Sequence, residues 1–387
     1  MKKIIFLQKN GKSYGGVCQV NKLLGESLSS DYNVSIISFR NNKGNVNLNY
    51  DKNILVKAIN EKDVWGTYSG TEIANNLKKF KLLTTIKMII SRIKYEFGFK
   101  KDAKKMYNYL LNEDPNYIIV SHYQLLDMIP NKLLDRVINV QHSSFENTIN
   151  HKATRKTLLK YKDKIKFVWL TRKTMESAIN YGFTNSSYVY NAVRFKSNKK
   201  ANVTKNKRLI AISRISKEKN IDLMVKIVKE VLSDCRLKDW KLDIYGNGDK
   251  NIENNILNLI KDCDNINLRG ITNDSKGELL KSSINLNTSS FEGFSLTILE
   301  ANECGVPTIS FDFGESSSEE IINNKTGIIA TDVEDYIKKL KELMLNNEKL
   351  NFLSNNCKEF SKNFQIEKIR KDWINIFNNL DNKKGKN

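Results

Sequence analysis

The chain of 387 residues is too long for one ordinary hydrophobic core and long enough for two. Apolar residues make up 40% and charged residues 28%, a balance that excludes wholesale disorder, and no apolar run approaches the ~20 residues of a membrane span. The formal charge of +21 suits a polyanionic partner (nucleic acid, an anionic membrane surface or an acidic substrate) unless it reflects only a Lys- and Asn-rich composition.

At the N-terminus, Lys2 and Lys3 precede a short apolar run, Ile4–Leu7, that Gln8, Lys9 and Asn10 end. A signal peptide needs an apolar stretch of about 7–15 residues, so the chain is expected to stay in the cytoplasm. Ile4–Gln8 reads as a strand, Tyr14-Gly15-Gly16 as a glycine loop, and Val20, Leu23, Leu24 and Leu28 mark one face of a helix that begins near Val17. Val34–Phe39 then reads as a second strand, which completes the opening of a βαβ unit. Further strand-length runs are Tyr117–Val120, Val137–Val140 and Phe167–Leu170.

Residues 194–207 are polar and aperiodic, the best candidate for a linker. The alternation then restarts, with strands at Leu209–Ser213, Lys241–Tyr245, Ile266–Leu268, Ile284–Thr288 and Thr308–Phe311. Helices are expected at Ile221–Val231, Ile252–Lys261, Leu279–Leu280 and Thr297–Cys304. Strands alternating with helices imply an α/β protein with two doubly wound parallel sheets in tandem. Ligands in such sheets sit beyond the carboxyl ends of the strands, so two facing sheets place a site in the cleft between them. Phe364–Leu380 has helical periodicity through Ile366, Ile369, Trp373, Ile376 and Phe377.

The five cysteines never form a C-x-x-C pair, and His122, His142 and His151 form no H-E-x-x-H pattern, so no disulfide framework and no metal are expected. Residues 75–109 carry ten Lys or Arg, from Lys78 to Lys105, against Glu96 and Asp102, with Phe80, Leu82, Leu83, Ile86, Ile89, Ile90, Ile93, Tyr95 and Phe97 interleaved. The stretch suits an anionic membrane surface. It equally suits a solvated helix whose apolar face meets the core.

The most specific segment runs from Ser290 to Pro307. Glu292 and Glu300 stand there with seven residues between them, after a strand and across the start of a helix. The amides of Phe294, Ser295 and Leu296 at that helix start suit an anion such as a diphosphate. Glu292 lies at the mouth, and Glu300 lies about one and a half turns along the helix. Upstream, Arg214 and Lys219 flank a strand end, where two cations can neutralise charge on a leaving phosphate. Gly15 and Gly16 let a backbone approach a ligand closely. His142 follows the Val137–Val140 strand.

The Ser290–Pro307 segment resembles the signature of the retaining glycosyltransferase family 4, the glycosyl transferases group 1, written E-G-F-[GS]-x-x-x-x-E-A-x-A-x-G-x-P. Asn302 and Glu303 stand where small residues are usual and are expected to be packing variants. The segment Ala211–Asn220 resembles the family's G-R-x-x-x-E-K-G, with Ser213 and Asn220 in place of glycines.

The resemblance implies a GT-B fold: two Rossmann-like domains facing a central cleft, an acceptor-binding domain over 1–195 and a nucleotide-sugar-binding domain over 208–365. Residues 366–387 would cross back onto the first. It also implies that Glu292 contacts the donor sugar, that Glu300 contacts the ribose, and that Arg214 and Lys219 grip the diphosphate. Gly270 and Ile271 would lie near the base, and His142 near the reacting sugar. Glu320 matches another recurrent glutamate, with the role of a helix N-terminal charge equally open.

The expected activity is metal-independent, retaining transfer of a sugar, with UDP the expected nucleotide, to a cell-envelope or lipid-linked glycan acceptor, with no cofactor. A catalytically weak partner subunit, an epimerase or phosphorylase on the same fold, and a basic polyanion-binding protein are the alternatives. No zinc, helix-turn-helix or R-G-F-G-F-type pattern supports nucleic acid as the partner.

Overall fold

The computed structural model describes residues 1–10, 15–40, 48–61, 74, 76, 77 and 82–384. Tyr14, Lys78, Lys79, Phe80 and Lys81 lie outside the described residues. Two parallel sheets organise the chain. The first holds β1 (Lys3–Asn10), β2 (Asn33–Arg40), β3 (Leu55–Asn60), β4 (Tyr117–Val120), β5 (Val137–Gln141), β6 (Lys166–Trp169) and β7 (Ser186–Tyr188), in the order β3-β2-β1-β4-β5-β6-β7. The second holds β8 (Arg208–Ile212), β9 (Lys241–Tyr245), β10 (Ile266–Gly270), β11 (Ile284–Asn287), β12 (Thr308–Phe311) and β13 (Gly327–Ala330), in the order β10-β9-β8-β11-β12-β13. Strand order reverses between β1 and β4 in one sheet and between β8 and β11 in the other. A crevice opens at such a reversal because successive connections leave on opposite faces.

The interior strands are largely buried on both faces, as parallel sheets covered by helices require. In β1, Ile4 and Phe6 belong to one core cluster, while Ile5 and Leu7 belong to another on the opposite face. β3 and β7 sit at the edges, are partly exposed, and read in sequence as mixed segments without a strand signal.

The first cluster does not stop at the first sheet. Ile369, Trp373, Ile376 and Phe377 of the C-terminal helix Ile366–Lys384 pack into it, and so do Phe294 and Leu299 from the second half of the chain. Phe377 stacks on Tyr117 with ring centroids 4.4 Å apart, and Tyr117 donates a hydrogen bond to Asp381 at 2.5 Å.

The polar stretch after residue 193 is pinned along its length. Val193 N–H donates to the Phe364 carbonyl at 2.8 Å, Ser197 N–H to Glu303 Oε1 at 2.7 Å, and Ala201 N–H to the Cys304 carbonyl at 2.9 Å. Glu303 is buried and also accepts from Lys358 (2.8 Å), Ser361 (2.8 Å) and Gln365 (2.7 Å). Glu303 therefore ties the helix that carries Glu300 to the linker and to the start of the C-terminal crossing. That is more than a packing variant.

The long helix Leu82–Glu113 is anchored by its second half. Met106 and Leu110 enter the core, and the carboxylate of buried Asp102 is held by Arg40 at 3.3 Å and by Asn60 at 2.8 Å.

Candidate active site

β11 ends at Asn287, and the chain turns through Ser289, Glu292 and Gly293 into the helix Leu296–Glu303. Glu292 is largely buried and forms an ion pair with the Lys219 ammonium; Ser289 Oγ donates to the same carboxylate oxygen at 2.8 Å. The backbone carbonyl of Lys219 accepts from Thr288 Oγ1 at 2.8 Å, which fastens the Lys219 turn to the strand end beside it. Lys219, Ser289, Glu292 and Ser295 line a pocket between the ends of β8 and β11, where strand order reverses. The two residues expected to meet the donor sugar and diphosphate are thus brought together.

Arg214 is not in that pair. Its guanidinium is mostly exposed and donates to Glu218 Oε1 at 3.0 Å, one turn along the same loop. Glu218 in turn receives the Ser290 N–H on its carbonyl at 2.9 Å, so Arg214 stands at the rim of the cavity.

The helix start differs from the expectation in one respect. The Ser295 N–H does not point outward to an anion; it donates to Glu320 Oε2 at 2.8 Å. Glu320 is fully buried, and burial, followed by the charge of Glu292, pushes its carboxyl well above the usual carboxylate range. Both causes favour its protonated form, and its carboxyl oxygen caps the helix from another element. Phe294, expected to contribute only its amide, also buries its ring, stacked on Tyr190 at 5.3 Å and edge-on to Phe364.

Glu300 is also engaged. Its carboxylate is 1% exposed and is gripped by Arg194, whose Nη2 donates to Oε2 at 2.7 Å. Arg194 also contacts Gln19 of the first helix, Gly16–Leu28, and Ser275 at 3.5 Å. The expected ribose contact is therefore closed by an arginine that the sequence places in a featureless linker.

The two halves of the chain meet at this site. A Cβ on Gly293 would collide with the carbonyl oxygen of His142, so only glycine allows the loop after β11 to lie against the loop after β5. Leu296 lies over Gly16, which faces the signature helix from the opposite side of the cleft. Gly15 precedes the first helix, and its carbonyl accepts from Gln19 at 3.2 Å.

Two further glutamates clasp the halves. Glu315 accepts the Phe145 N–H at 3.0 Å, and Glu319 accepts those of Arg172 and Lys173 at 3.0 and 2.8 Å, each carboxylate at a helix N-terminus of the first half. Tyr190 adds a bond to Glu319 at 2.7 Å.

His142 retains some exposed surface, but its Nε2 is enclosed and has no partner among the described residues. Burial, with His122 adding to it, holds the imidazole down to about 3; His122 is held at about 4 by burial and by Lys9. Both rings are neutral at physiological pH, so His142 can orient a hydroxyl but cannot supply a positive charge. Its ring lines a second pocket with Asn21, Tyr190, Asn191 and Trp373.

At the far rim, Gly270 closes β10 with φ +73°, and its carbonyl accepts from Gly246 at 2.8 Å; Ile271 beside it is exposed. No group of His, Cys, Asp and Glu that could hold a metal ion is found among the described residues.

Two parallel sheets, each with its reversal point turned to a shared cleft, define the GT-B class of glycosyltransferase fold. Residues 193–360 match the family model of the glycosyl transferases group 1. An uncharacterized glycosyltransferase of Haemophilus influenzae is 25% identical over 390 residues, which cover 97% of this chain and 100% of the relative. The poly(ribitol-phosphate) alpha-N-acetylglucosaminyltransferase of Staphylococcus aureus is 27% identical over 252 residues, 62% of this chain and 50% of that protein. Among solved structures, TarM of S. aureus superposes with a TM-score of 0.74 at 16% identity, over 98% of this chain and 99% of that one. HepE of Anabaena in complex with UDP-glucose gives 0.69 at 13% identity, over 98% and 100%. At these identities the superpositions establish the fold.

Proposed function

We propose that this glycosyltransferase moves a hexosyl unit from a UDP-linked sugar to a cell-envelope polymer, with retention of anomeric configuration and without a metal ion. The observation that carries this reading is the Lys219–Glu292 pair at the mouth of the cavity between β8 and β11. On entry of a donor the pair opens. Glu292 takes the sugar hydroxyls, and Lys219 meets the charge that builds on the leaving diphosphate. The C1–oxygen bond to the diphosphate breaks, the acceptor oxygen bonds to C1 on the same face, and its proton leaves with the nucleotide diphosphate. Arg214 joins from the rim, and His142 orients a hydroxyl as a neutral ring.

In this reading the diphosphate lies between Gly15–Gly16 and the Phe294–Leu296 turn, the base rests near Gly270 and Ile271, and Glu300 reaches the ribose once Arg194 gives way. The relatives supply the acceptor class: one acts, by its name, on poly(ribitol-phosphate), and a Bacillus subtilis relative of 29% identity over 145 residues is a poly(glycerol-phosphate) alpha-glucosyltransferase. A Streptococcus pneumoniae protein of the same fold, GtfA, was crystallised with UDP and GlcNAc, which favours a UDP donor.

The test is incubation of the chain with UDP-glucose or UDP-GlcNAc and a polyol-phosphate polymer, with the product linkage read by NMR and EDTA as a control. An α-linked product, unaffected by EDTA and reduced about 10²–10³-fold in Glu292→Gln or Lys219→Ala, is expected. A β-linked product would refute retention, and loss with EDTA would refute metal independence.

A further inference from the structure

The helix Leu82–Glu113 carries a second apolar face that is left exposed among the described residues. Its core-facing residues are Thr85, Met88, Asp102, Met106 and Leu110. Leu82, Leu83, Ile86, Ile89, Ile90, Ile93 and Phe97 point elsewhere and are between 40% and 80% exposed. With about 100° per residue these seven fall within an arc of roughly 120°, separate from the arc that meets the core. A contiguous exposed stripe of this size on a folded protein marks an interaction surface.

Charge decides what covers it. Beyond Phe97 the same arc continues in exposed Lys100, Lys101 and Lys104, and exposed Lys87 and Lys94 run along one edge of the stripe. The acids of this helix are spent elsewhere: Glu96 pairs with Arg92 at 3.3 Å, Asp102 is buried against Arg40, and Glu113 pairs with Lys3 at 3.2 Å. A second copy of the chain docked on this face would set lysines against lysines. A soluble polyanion would satisfy the lysines and leave the apolar stripe in water. An anionic bilayer satisfies both, since its headgroups meet the ammonium groups while its acyl boundary takes the isoleucines.

We propose that this helix seats the protein on an anionic phospholipid surface, lying in the plane of the interface. No helix among the described residues is long and apolar enough to cross a membrane, so the contact is peripheral.

The experiment is sedimentation of the full chain with vesicles of phosphatidylcholine alone and of equimolar phosphatidylcholine and phosphatidylglycerol, at low and physiological salt. Wild type should bind the anionic vesicles at least about tenfold more tightly than the neutral ones. The triple variant Ile86→Ser, Ile90→Ser, Ile93→Ser should lose about tenfold in that binding, as should Lys100→Ser, Lys101→Ser, Lys104→Ser, both with unchanged thermal unfolding. Since every substituted side chain is exposed, folding should survive in both. Equal binding by the isoleucine variant and wild type would overturn the proposal, as would no binding by wild type. A solution dimer that this variant converts to a monomer would assign the face to a second copy instead.

Discussion

Arg194 and Glu300 form an ion pair in which a fully buried carboxylate at the active-site helix is neutralised by an arginine from the stretch between the domains. Because Arg194 also holds Gln19 of the first half, this pair couples the occupancy of the ribose position to the contact between the halves. A donor that takes Glu300 must loosen Arg194, and with it one interdomain bond. Arg194→Ala leaves a buried charge uncompensated and should cost about 3 kcal/mol in urea unfolding. A cycle with Glu300→Gln should show a coupling above about 1 kcal/mol; strictly additive losses would mean that the two side chains act separately.

Glu320 should make stability fall as pH rises. Its folded value lies well above the ordinary 4.5, so the native state keeps a proton that the unfolded chain releases. From about pH 4.5 upward the wild type should lose stability relative to Glu320→Gln, which stays neutral and in place. Glu320→Ala, which orphans the Ser295 N–H, should be destabilised by about 1–3 kcal/mol at any pH. Parallel pH curves for wild type and Glu320→Gln would show that the carboxyl is ionised in the native state.

The histidines act with the opposite sign. His122 and His142 are held at about 4 and about 3, below the ordinary 6.5, so below pH 6.5 the unfolded state binds protons that the native state refuses. Their neutral burial favours the fold above pH 6.5, and that advantage declines as pH falls from 6.5 toward about 3. Thermal unfolding of His142→Gln and His122→Gln should show a shallower acid slope than wild type. An unchanged slope would place the rings in water.

Glu303 should behave as a structural hub rather than a site residue. Glu303→Ala removes one carboxylate from Ser197, Lys358, Ser361 and Gln365 together and should cost about 3 kcal/mol. Its effect on catalysis should then follow from lost folded protein, with turnover per folded molecule retained at low temperature. A large fall in turnover of the folded fraction would give it a direct role.

The interior strands were legible because strands buried on both faces keep short, largely apolar stretches: Tyr117–Val120 is one, and Lys241–Tyr245 and Thr308–Phe311, though interrupted by polar residues, also match to the residue. β3 and β7, at sheet edges and partly exposed, carry no such run. β13, Gly327–Ala330, lies at the edge of the second sheet and offers only Ile328 and Ile329 as large apolar residues.

At the site, Glu292 and Lys219 were legible because each stands in a local motif with a strand before it. Arg194 was not. Its partners lie 106 and 175 positions away, and pairings at that range leave no local period. Glu320 reached Ser295 in the same hidden way, from a separate element. The second apolar arc of Leu82–Glu113 is written in the sequence, but which arc faces the core is decided by Asp102, Met106 and Leu110 meeting the sheet.

The most direct test of the nucleotide site is a thermal-shift series with UDP, GDP, ADP and CMP on wild type, Lys219→Ala and Glu300→Ala. UDP at about 100 times its dissociation constant should stabilise wild type by roughly 2.7 kcal/mol, with the other nucleotides weaker and the effect lost in both variants. Stabilisation by none of the nucleotides, or a UDP shift that both variants retain in full, would contradict the assignment of the cleft beside Lys219 and Glu300 as the donor site.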